Sequence, residues 1–541
     1  MKKIPYGITN YKDLILEDYY YVDKTMYLEK LEDVSDTIVY LRPRRFGKTL
    51  FTSMLYYYYD VNSKDLYDDL FKSTYIYNHP TKNKNNYYIL KFDFSGMGYR
   101  DNLIEIEHNF NHSVKSSIIE FLNKYDLSID LDYNERAADL LKSLMVNLKL
   151  DHKIYVIIDE YDNFTNSILS NNQDIFKKIH GTDDFIKDFY ARIKEYSGTV
   201  IDRVFITGVC SISLDSMTSG FNIATNITND YRFNSMTALT HEEVKELLKK
   251  VPDSEKHYHS MIEYYEGYKF NKDGEKVFNP TLTMYYLKSV IETGDIPEVM
   301  LDSNIISNYE QIKNIISLGD YKEILDDIYD NGEISSTLTV NFDLNSQFEK
   351  DDIISLLYYF GYLTVKDVDI VGIYQFKIPN RVIKKVFSDY YMNILKEYNI
   401  LTASNKEEEF IKELLYEGKI DKFCSYIGSL LKMADNRIYI NFKEKDLQII
   451  MYTILTKYLK IKVELEYRSG DHYIDMAILK NEVSHYNILI ELKYIKEKDK
   501  DTYDEVYKTA KEQICKYTLN DINEKKYIVI FTGSNYTLEE V

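Results

Sequence analysis

Short apolar runs that stop at polar residues, separated by stretches of helical period, set the pattern of the first 240 residues. Thr37-Ile-Val-Tyr-Leu41 is one such run, and it passes through Arg42-Pro-Arg-Arg-Phe-Gly-Lys-Thr49 into a helical segment. Tyr87-Tyr-Ile-Leu-Lys-Phe-Asp-Phe-Ser95, Lys153-Ile-Tyr-Val-Ile-Ile-Asp-Glu-Tyr-Asp162 and Asp202-Arg-Val-Phe-Ile-Thr-Gly-Val209 follow. Apolar runs of this length without alternation are what a strand buried on both faces of a parallel sheet requires. Strands alternating with helices predict a doubly wound α/β sheet. Ahead of it, Tyr6 to Asp33 reads as a loop and then a helix after Asp23.

The period changes at His241, where Thr240 serves as N-cap to a helical region that runs to about residue 287. The next hundred residues read as mostly helical with one β interruption. Residues 351–360 predict a helix, 362–366 and 372–377 a hairpin, and 380–395 another helix, an order that suggests a winged-helix-like module. Packing is the preferred role for its hairpin, with contact to nucleic acid as the alternative. The acidic Asn405-Lys-Glu-Glu-Glu409 reads as a solvated helix start near a domain junction. Beyond Arg437 the pattern gives helix 444–459, strand 462–467, a turn at Ser469-Gly-Asp471, strands 473–479 and 486–492, helix 502–517 and strand 527–532.

At 541 residues the chain is too long for one core and suggests about three domains. The supply of 54 Tyr and 25 Phe with no Trp points to tyrosine as the amphipathic residue of core and boundary. Cys210, Cys424 and Cys515 match no zinc or redox spacing, which fits a reducing cytosol. The N-terminus lacks the apolar region of a secretory signal and no stretch reaches the ~18 apolar residues of a membrane helix, so a cytoplasmic protein without membrane contact is expected. A net charge of −20 excludes a protein that coats nucleic acid through a general basic surface. Residues 441–541 carry 16 Lys/Arg against 18 Asp/Glu, a net of −2, which leaves −18 for the first 440. The C-terminal part is therefore the least unfavourable place for nucleic acid to approach.

Strand, turn with Gly47-Lys48-Thr49, then helix is the layout of a P-loop, in which backbone N–H groups and a helix N-terminus hold phosphate, the lysine reaches the β/γ-phosphates and the hydroxyl binds Mg²⁺. The full pattern places another glycine at position 42, where this chain has arginine. By itself Gly-Lys-Thr also fits an ordinary turn and helix N-cap. The Lys153 run adds to the P-loop reading, because it ends in Asp159 as a candidate Mg²⁺ ligand and Glu160 as a candidate general base. Thr207, at the end of the following strand, is the candidate sensor of the γ-phosphate, with a buried strand cap as the alternative. In the C-terminal part Asp475 on one strand and Glu491-Leu-Lys493 on the next place two acids and a lysine on one face. Two carboxylates bind Mg²⁺, and metal with lysine activates water at a phosphodiester; a salt bridge on a wet sheet face is the alternative.

These segments, with Tyr21-Val-Asp-Lys-Thr25, Thr207-Gly-Val209, Ser219-Gly-Phe-Asn222, Gly267-Tyr268, Phe278-Asn-Pro280, Gly361-Tyr-Leu-Thr364 and Ile378-Pro-Asn380, resemble the bacterial AAA-ATPase-like proteins that carry a C-terminal PD-(D/E)XK nuclease-like domain. The family's loop has the same Arg-Pro-Arg-Arg-Phe-Gly-Lys form, so Arg42 is a family trait. The resemblance implies a P-loop AAA-like core over 1–240, a helical lid over 241–290, a helical and winged-helix-like region over 291–435 and a small α/β nuclease-like domain over 436–541. It adds Arg44 and Arg45 to Gly47, Lys48, Thr49, Asp159 and Thr207 as nucleotide contacts, and places Asp23-Lys24-Thr25 as a brace beside them, unless Asp23 is a plain N-cap. For the C-terminal domain it adds Glu444 as a helical acid, and Gln513 with Tyr517 on one helix, to the catalytic set of Asp475, Glu491 and Lys493. Where the family pattern leads to a histidine, this chain has Gln448. The implied cofactors are ATP and Mg²⁺, with Mn²⁺ an option at the nuclease site. The implied function is an ATPase coupled to a nuclease acting on DNA in phage defence or genome maintenance, with room for a homo-oligomer. A regulator that binds ATP and nucleic acid or protein without cutting is the alternative, followed by a structural protein with relic sites.

Overall fold

The computed structural model describes residues 2–97, 102–149, 151–163, 165–166, 185–212, 223–249, 251–297, 299–301, 308–318, 324, 327–328, 332–342, 347–397, 407–433, 442–458, 460–469, 472–519 and 521–541. The Ser219–Asn222 match, the turn at 470–471 and the first two residues of the acidic 405–409 stretch lie outside them. Two compact units result, one from Met1–Asp302, Lys313–Ile324 and Ile334–Asn380, the other from Ser303–Ile312, Leu325–Glu333 and Arg381–Val541.

In the first unit β1 (Thr37–Leu41), β2 (Tyr88–Asp93), β3 (Ile154–Asp159), β4 (Ile201–Gly208) and β5 (Thr225–Asn226) form a parallel sheet in the order β2-β3-β4-β1-β5. Every residue of β1 and β3 is buried, which is why both read as unbroken apolar runs. Because β4 lies between β1 and β3, the carboxyl ends that carry the loop 42–47, Thr207 and Asp159 stand side by side. Ligands of open parallel sheets gather at that edge.

One face of this sheet is covered by α1 (Lys48–Tyr59), whose Phe51, Met54, Leu55, Tyr58 and Tyr59 join a core with Ile38, Tyr40, Ile157 and Phe205. The helices α2 (Leu103–Lys124), α3 (Ala137–Asn147) and α4 (Phe185–Tyr196) follow, and Phe110 and Phe189 from them meet Phe94 at ring distances of 5.3 and 6.4 Å. The tyrosines enter the core with their hydroxyls satisfied: Tyr11 donates to Leu70 O at 2.9 Å, Tyr59 to Glu32 at 3.0 Å and Tyr87 to Asp202 at 2.7 Å.

The helical region after Thr240 is three helices, α5 (His241–Leu248), α6 (Ser254–Tyr265) and α7 (Pro280–Thr293). Thr240 and Glu243 close a capping box on α5, and Asn279 with Pro280 starts α7. Next come β6 (Glu333–Ser336), α8 (Lys350–Tyr359) and the antiparallel hairpin of β7 (Thr364–Val368) and β8 (Tyr374–Lys377), with β6 added to β8 as a third strand. The following helix, α9 (Arg381–Glu397), falls in the second unit, so the helix–hairpin–helix order seen in the sequence is divided between the units.

The second unit continues with α10 (Glu407–Glu417), α11 (Asp421–Met433), α12 (Glu444–Thr456), β9 (Lys462–Ser469), β10 (His472–Leu479), β11 (Asn487–Ile495), α13 (Tyr503–Ile514), β12 (Glu524–Thr532) and β13 (Asn535–Glu540). The five strands make a mixed sheet in the order β13-β12-β11-β10-β9, with β11 and β12 parallel and the other pairs antiparallel. The parallel pair needs a crossover, and α13 supplies it. Ala510 and Ile514 of α13 bury against Leu489, Ile528 and Ile530 of the sheet. One correction concerns Tyr517: the helix ends at Ile514, so Tyr517 does not share it with Gln513.

Candidate functional site

At the carboxyl edge of the parallel sheet, Gly47 is the N-cap of α1 and Lys48 its first residue. The left-handed residues of the loop are Arg45, φ 66°, and Gly47, φ 76°. Position 42 does not need left-handed backbone, which explains why arginine stands there without strain. The Arg42 guanidinium is buried, donates to Leu41 O, Thr228 O and Phe233 O at 2.8, 2.7 and 3.0 Å, and lies over the Phe270 ring at 4.0 Å. It roots the loop rather than facing a ligand.

The Lys48 ammonium donates to Arg42 O and Pro43 O at 3.0 and 3.1 Å and stands 3.6 Å from Glu160 Oε1. Asp159 Oδ2 accepts from Thr52 Oγ1 at 3.1 Å, while Oδ1 is buried without a hydrogen-bond partner among the described residues. Burial pushes the Asp159 carboxyl up to about 6; Lys91 and Lys48 oppose the shift, and Asp93 and Glu160 add to it. Glu160 itself has left-handed backbone, φ 54°. Thr207 is buried and its Oγ1 likewise has no partner among the described residues. Arg44 is exposed and donates to Asn163 Oδ1 at 3.3 Å, and Arg45 O accepts from Thr281 at 2.8 Å.

Arg45, Gly47, Lys48, Thr49 and Glu160 are among the residues that line a cavity of about 340 Å³. Pro5, Tyr6, Ile8, Met54, Met236 and Met284 line it too, so the lining combines cations and a helix N-terminus with apolar surface. A hard cation between phosphate and protein takes a few oxygen donors and keeps several waters. The unpartnered Asp159 oxygen and the Thr49 hydroxyl at the helix start fit that demand, and these two residues would hold Mg²⁺. Bound there, the cation would supply charge neutralisation between the phosphates.

Segments distant in sequence brace this loop. Phe46 packs edge-on against Tyr268 and Phe270 at 4.9 and 5.5 Å, and Gly361, φ 83°, lies so close that a Cβ there would be 2.8 Å from the Pro43 side chain. Gly361→Ala is expected to cost about 1–3 kcal/mol of stability through strain and overlap, and to weaken nucleotide binding because Pro43 O holds Lys48. Denaturant unfolding with a nucleotide titration checks this; unchanged values in both would remove the brace. In Asp23-Lys24-Thr25, Asp23 accepts from Thr25 N and Tyr75 N at 2.9 and 2.6 Å, as a turn cap does. Lys24 lines the cavity and pairs with Glu243 at 2.6 Å, tying the N-terminal segment to α5.

Residues 5–218 match the family described as Predicted AAA-ATPase. Among curated proteins, an uncharacterized protein in the vnfD 5' region of Azotobacter chroococcum mcd 1 is 25% identical over 401 residues, which are 71% of this chain and 68% of that one. Among solved structures, the Walker-type ATPase PABY2304 of Pyrococcus abyssi aligns over 67% of this chain and 94% of its own with 13% identity and a TM-score of 0.36. Drosophila ORC bound to GC-rich DNA and Cdc6 aligns over 77% and 62% with 12% identity and a TM-score of 0.22. The AAA-ATPase-like match therefore covers the phosphate loop, Asp159, Glu160 and Thr207, and ends before the second unit.

That unit holds the other predicted cluster. Lys493 Nζ stands 2.7 Å from Glu491 Oε1, 3.3 Å from Asp475 Oδ2 and 3.4 Å from Glu444 Oε1. The start of α12 and two adjacent strands thus deliver three carboxylates to one ammonium, an excess of two negative charges. Asp475 Oδ2 also accepts from Leu492 N at 2.7 Å, and Tyr517 OH donates to Glu491 Oε2 at 2.5 Å. Burial raises the carboxyls of Glu444, Asp475 and Glu491 above their ordinary range. Burial opposes the charge on Lys493, yet Asp475, Glu491 and Glu444 together hold it above an ordinary lysine. Among the described residues no three His, Cys, Asp or Glu form a ready metal cage. A divalent ion would take Asp475 and Glu491 with water, a donor set that suits Mg²⁺. Gln448 donates to Asp475 O at 2.6 Å and to Glu466 at 3.2 Å. Gln513 is placed apart in its bonding: its Oε1 is buried without a partner among the described residues.

Several lining residues carried no sequence signal. Pro5 to Thr9 and Met236 enter the cavity from irregular segments with neither period nor motif. Asn163, four residues beyond Asp159, was legible only as the neighbour of a motif.

Proposed function

We propose that this protein binds and hydrolyses ATP·Mg²⁺ at the carboxyl edge of the parallel sheet and couples that cycle to metal-dependent cleavage of DNA by its second unit. The observation that supports the first half best is the unpartnered, buried Asp159 oxygen, next in sequence to Glu160, which lines a cavity together with Lys48 and Thr49. In this reading Lys48 and the α1 N-terminus hold the phosphates, Thr49 and Asp159 hold Mg²⁺, Glu160 accepts the proton of the attacking water, and Thr207 reads the γ-phosphate. Arg44 and Arg45 flank the phosphates. The second half rests on Lys493 gathering Glu444, Asp475 and Glu491. There Asp475 and Glu491 would hold a divalent cation, which would supply charge neutralisation at a phosphodiester, Lys493 stabilises developing charge, and Glu444 and Gln513 complete the site.

The test of coupling is degradation of linear single- and double-stranded DNA, and of RNA, with Mg²⁺ or Mn²⁺, in the presence and absence of ATP. ATP-sensitive cutting of DNA is expected. Cutting indifferent to ATP would break the coupling, and binding of nucleic acid without any cutting would favour the regulator that binds and does not cleave.

A further inference from the structure

The turn that follows Glu160 is built more tightly than a strand-to-helix turn requires. Asp162 is fully buried and accepts from Val209 N at 3.0 Å, Cys210 N at 2.7 Å and Asn166 Nδ2 at 2.8 Å. Tyr161, also buried, donates its backbone N–H to Thr207 O at 3.1 Å and its hydroxyl to Cys210 O at 2.5 Å. Between these contacts Gly208 is pressed so close that a Cβ would lie 2.4 Å from Asp162 Oδ1 and from the Tyr161 ring. Asn163 closes the turn by donating its backbone N–H to Glu160 O at 3.0 Å. Its side-chain amide reaches Phe94 O, Ser95 O and Met97 O at 3.2, 3.0 and 3.3 Å, and its oxygen accepts from Arg44 of the phosphate loop.

Two sheet exits, those of β2 and β4, and the phosphate loop are thereby fastened to the three residues after Glu160. Left-handed backbone at a non-glycine residue costs about 1–3 kcal/mol and persists only where the surroundings over-determine it. Here the surroundings do so. We propose that Asp162 and Asn163 are positioning residues that lock Glu160 in its left-handed conformation beside Lys48, Asp162 by clamping the end of β4 and Asn163 by joining the β2 exit to Arg44. The inference rests on Glu160 being the base of the proposed ATPase. A reacting water misplaced by even an ångström slows hydrolysis by about 10- to 100-fold, whereas the Lys48 ammonium is held by Arg42 O and Pro43 O and by neither Asp162 nor Asn163.

The experiment is a kinetic cycle of wild type, Glu160→Gln, Asp162→Asn and the double variant, with Asn163→Ala as a milder second probe at a half-exposed position. Phosphate release gives kcat, and titration of a non-hydrolysable ATP analogue gives Kd. Asp162→Asn is expected to lower kcat by about tenfold or more with Kd within about twofold, Asn163→Ala to lower kcat by as much with a smaller rise in Kd from the release of Arg44, and the double variant of Asp162→Asn with Glu160→Gln to be no slower than Glu160→Gln alone. A double variant slower by the product of the two effects, or Kd lost in step with kcat in both probes, would overturn the positioning role and leave Asp162 as ordinary structure. Should Glu160→Gln turn over as wild type does, the base assignment itself falls. Should Glu160→Gln be inactive while both probes match wild type, the positioning role alone falls.

Discussion

Replacing Lys48 by alanine is expected to weaken binding of ATP·Mg²⁺ by about tenfold or more. A charge-assisted hydrogen bond to phosphate is worth about 1.5–3 kcal/mol, and each ~1.4 kcal/mol is a factor of ten in affinity. The fold should tolerate the change, because the Lys48 ammonium is held by two loop carbonyls, Arg42 O and Pro43 O, while the loop's root is fixed independently by the Arg42 guanidinium and the packing of Phe46. Removing Lys48 frees those carbonyls at a cavity wall, where water can replace the donor. Unchanged melting with lost nucleotide affinity is the predicted combination. Equal affinity of wild type and variant for a labelled ATP analogue would remove the phosphate-binding role from this loop.

The second large effect belongs to the other unit. Asp475→Ala is expected to abolish metal-dependent cleavage while leaving ATP affinity at the wild-type value, since Lys48 and Asp475 lie in different compact units. Asp475→Asn is the gentler partner, because it keeps an acceptor for Leu492 N–H and removes the charge a cation needs. Lys493 is a harder position to test: its loss would leave Glu444, Asp475 and Glu491 facing one another, and breaking a buried ion pair costs about 3–5 kcal/mol. Cleavage that survives both Asp475 substitutions would place the activity at another site.

Much of this arrangement was legible in the sequence because buried parallel strands announce themselves. β1 and β3 are buried from end to end with apolar interiors, and the polar residues at their carboxyl ends, Arg42 just after β1 and Asp159 as the last residue of β3, mark the edge where ligands gather. The strands and helices of the C-terminal sheet were legible for the related reason that apolar runs such as Ile488-Leu-Ile490 sit between clear turns. What was not legible is contact across long separations. Arg42 read as a missing glycine, whereas its guanidinium spans to Thr228 and Phe233, some 190 residues away. The brace of Gly361 on Pro43 and the apolar wall from Pro5 to Thr9 depend on packing that no local period encodes. β13 was missed because Asn535–Glu540 is a half-exposed edge strand with two terminal acids, a composition that reads as a tail.

The central claim is that the parallel-sheet edge turns over ATP with Glu160 as base. Steady-state phosphate release from ATP·Mg²⁺ by wild type, Lys48→Ala and Glu160→Gln tests it most directly. Turnover by wild type that is lost in both variants, with Glu160→Gln still binding the nucleotide, is the predicted result. Phosphate release by Glu160→Gln at the wild-type rate would contradict it.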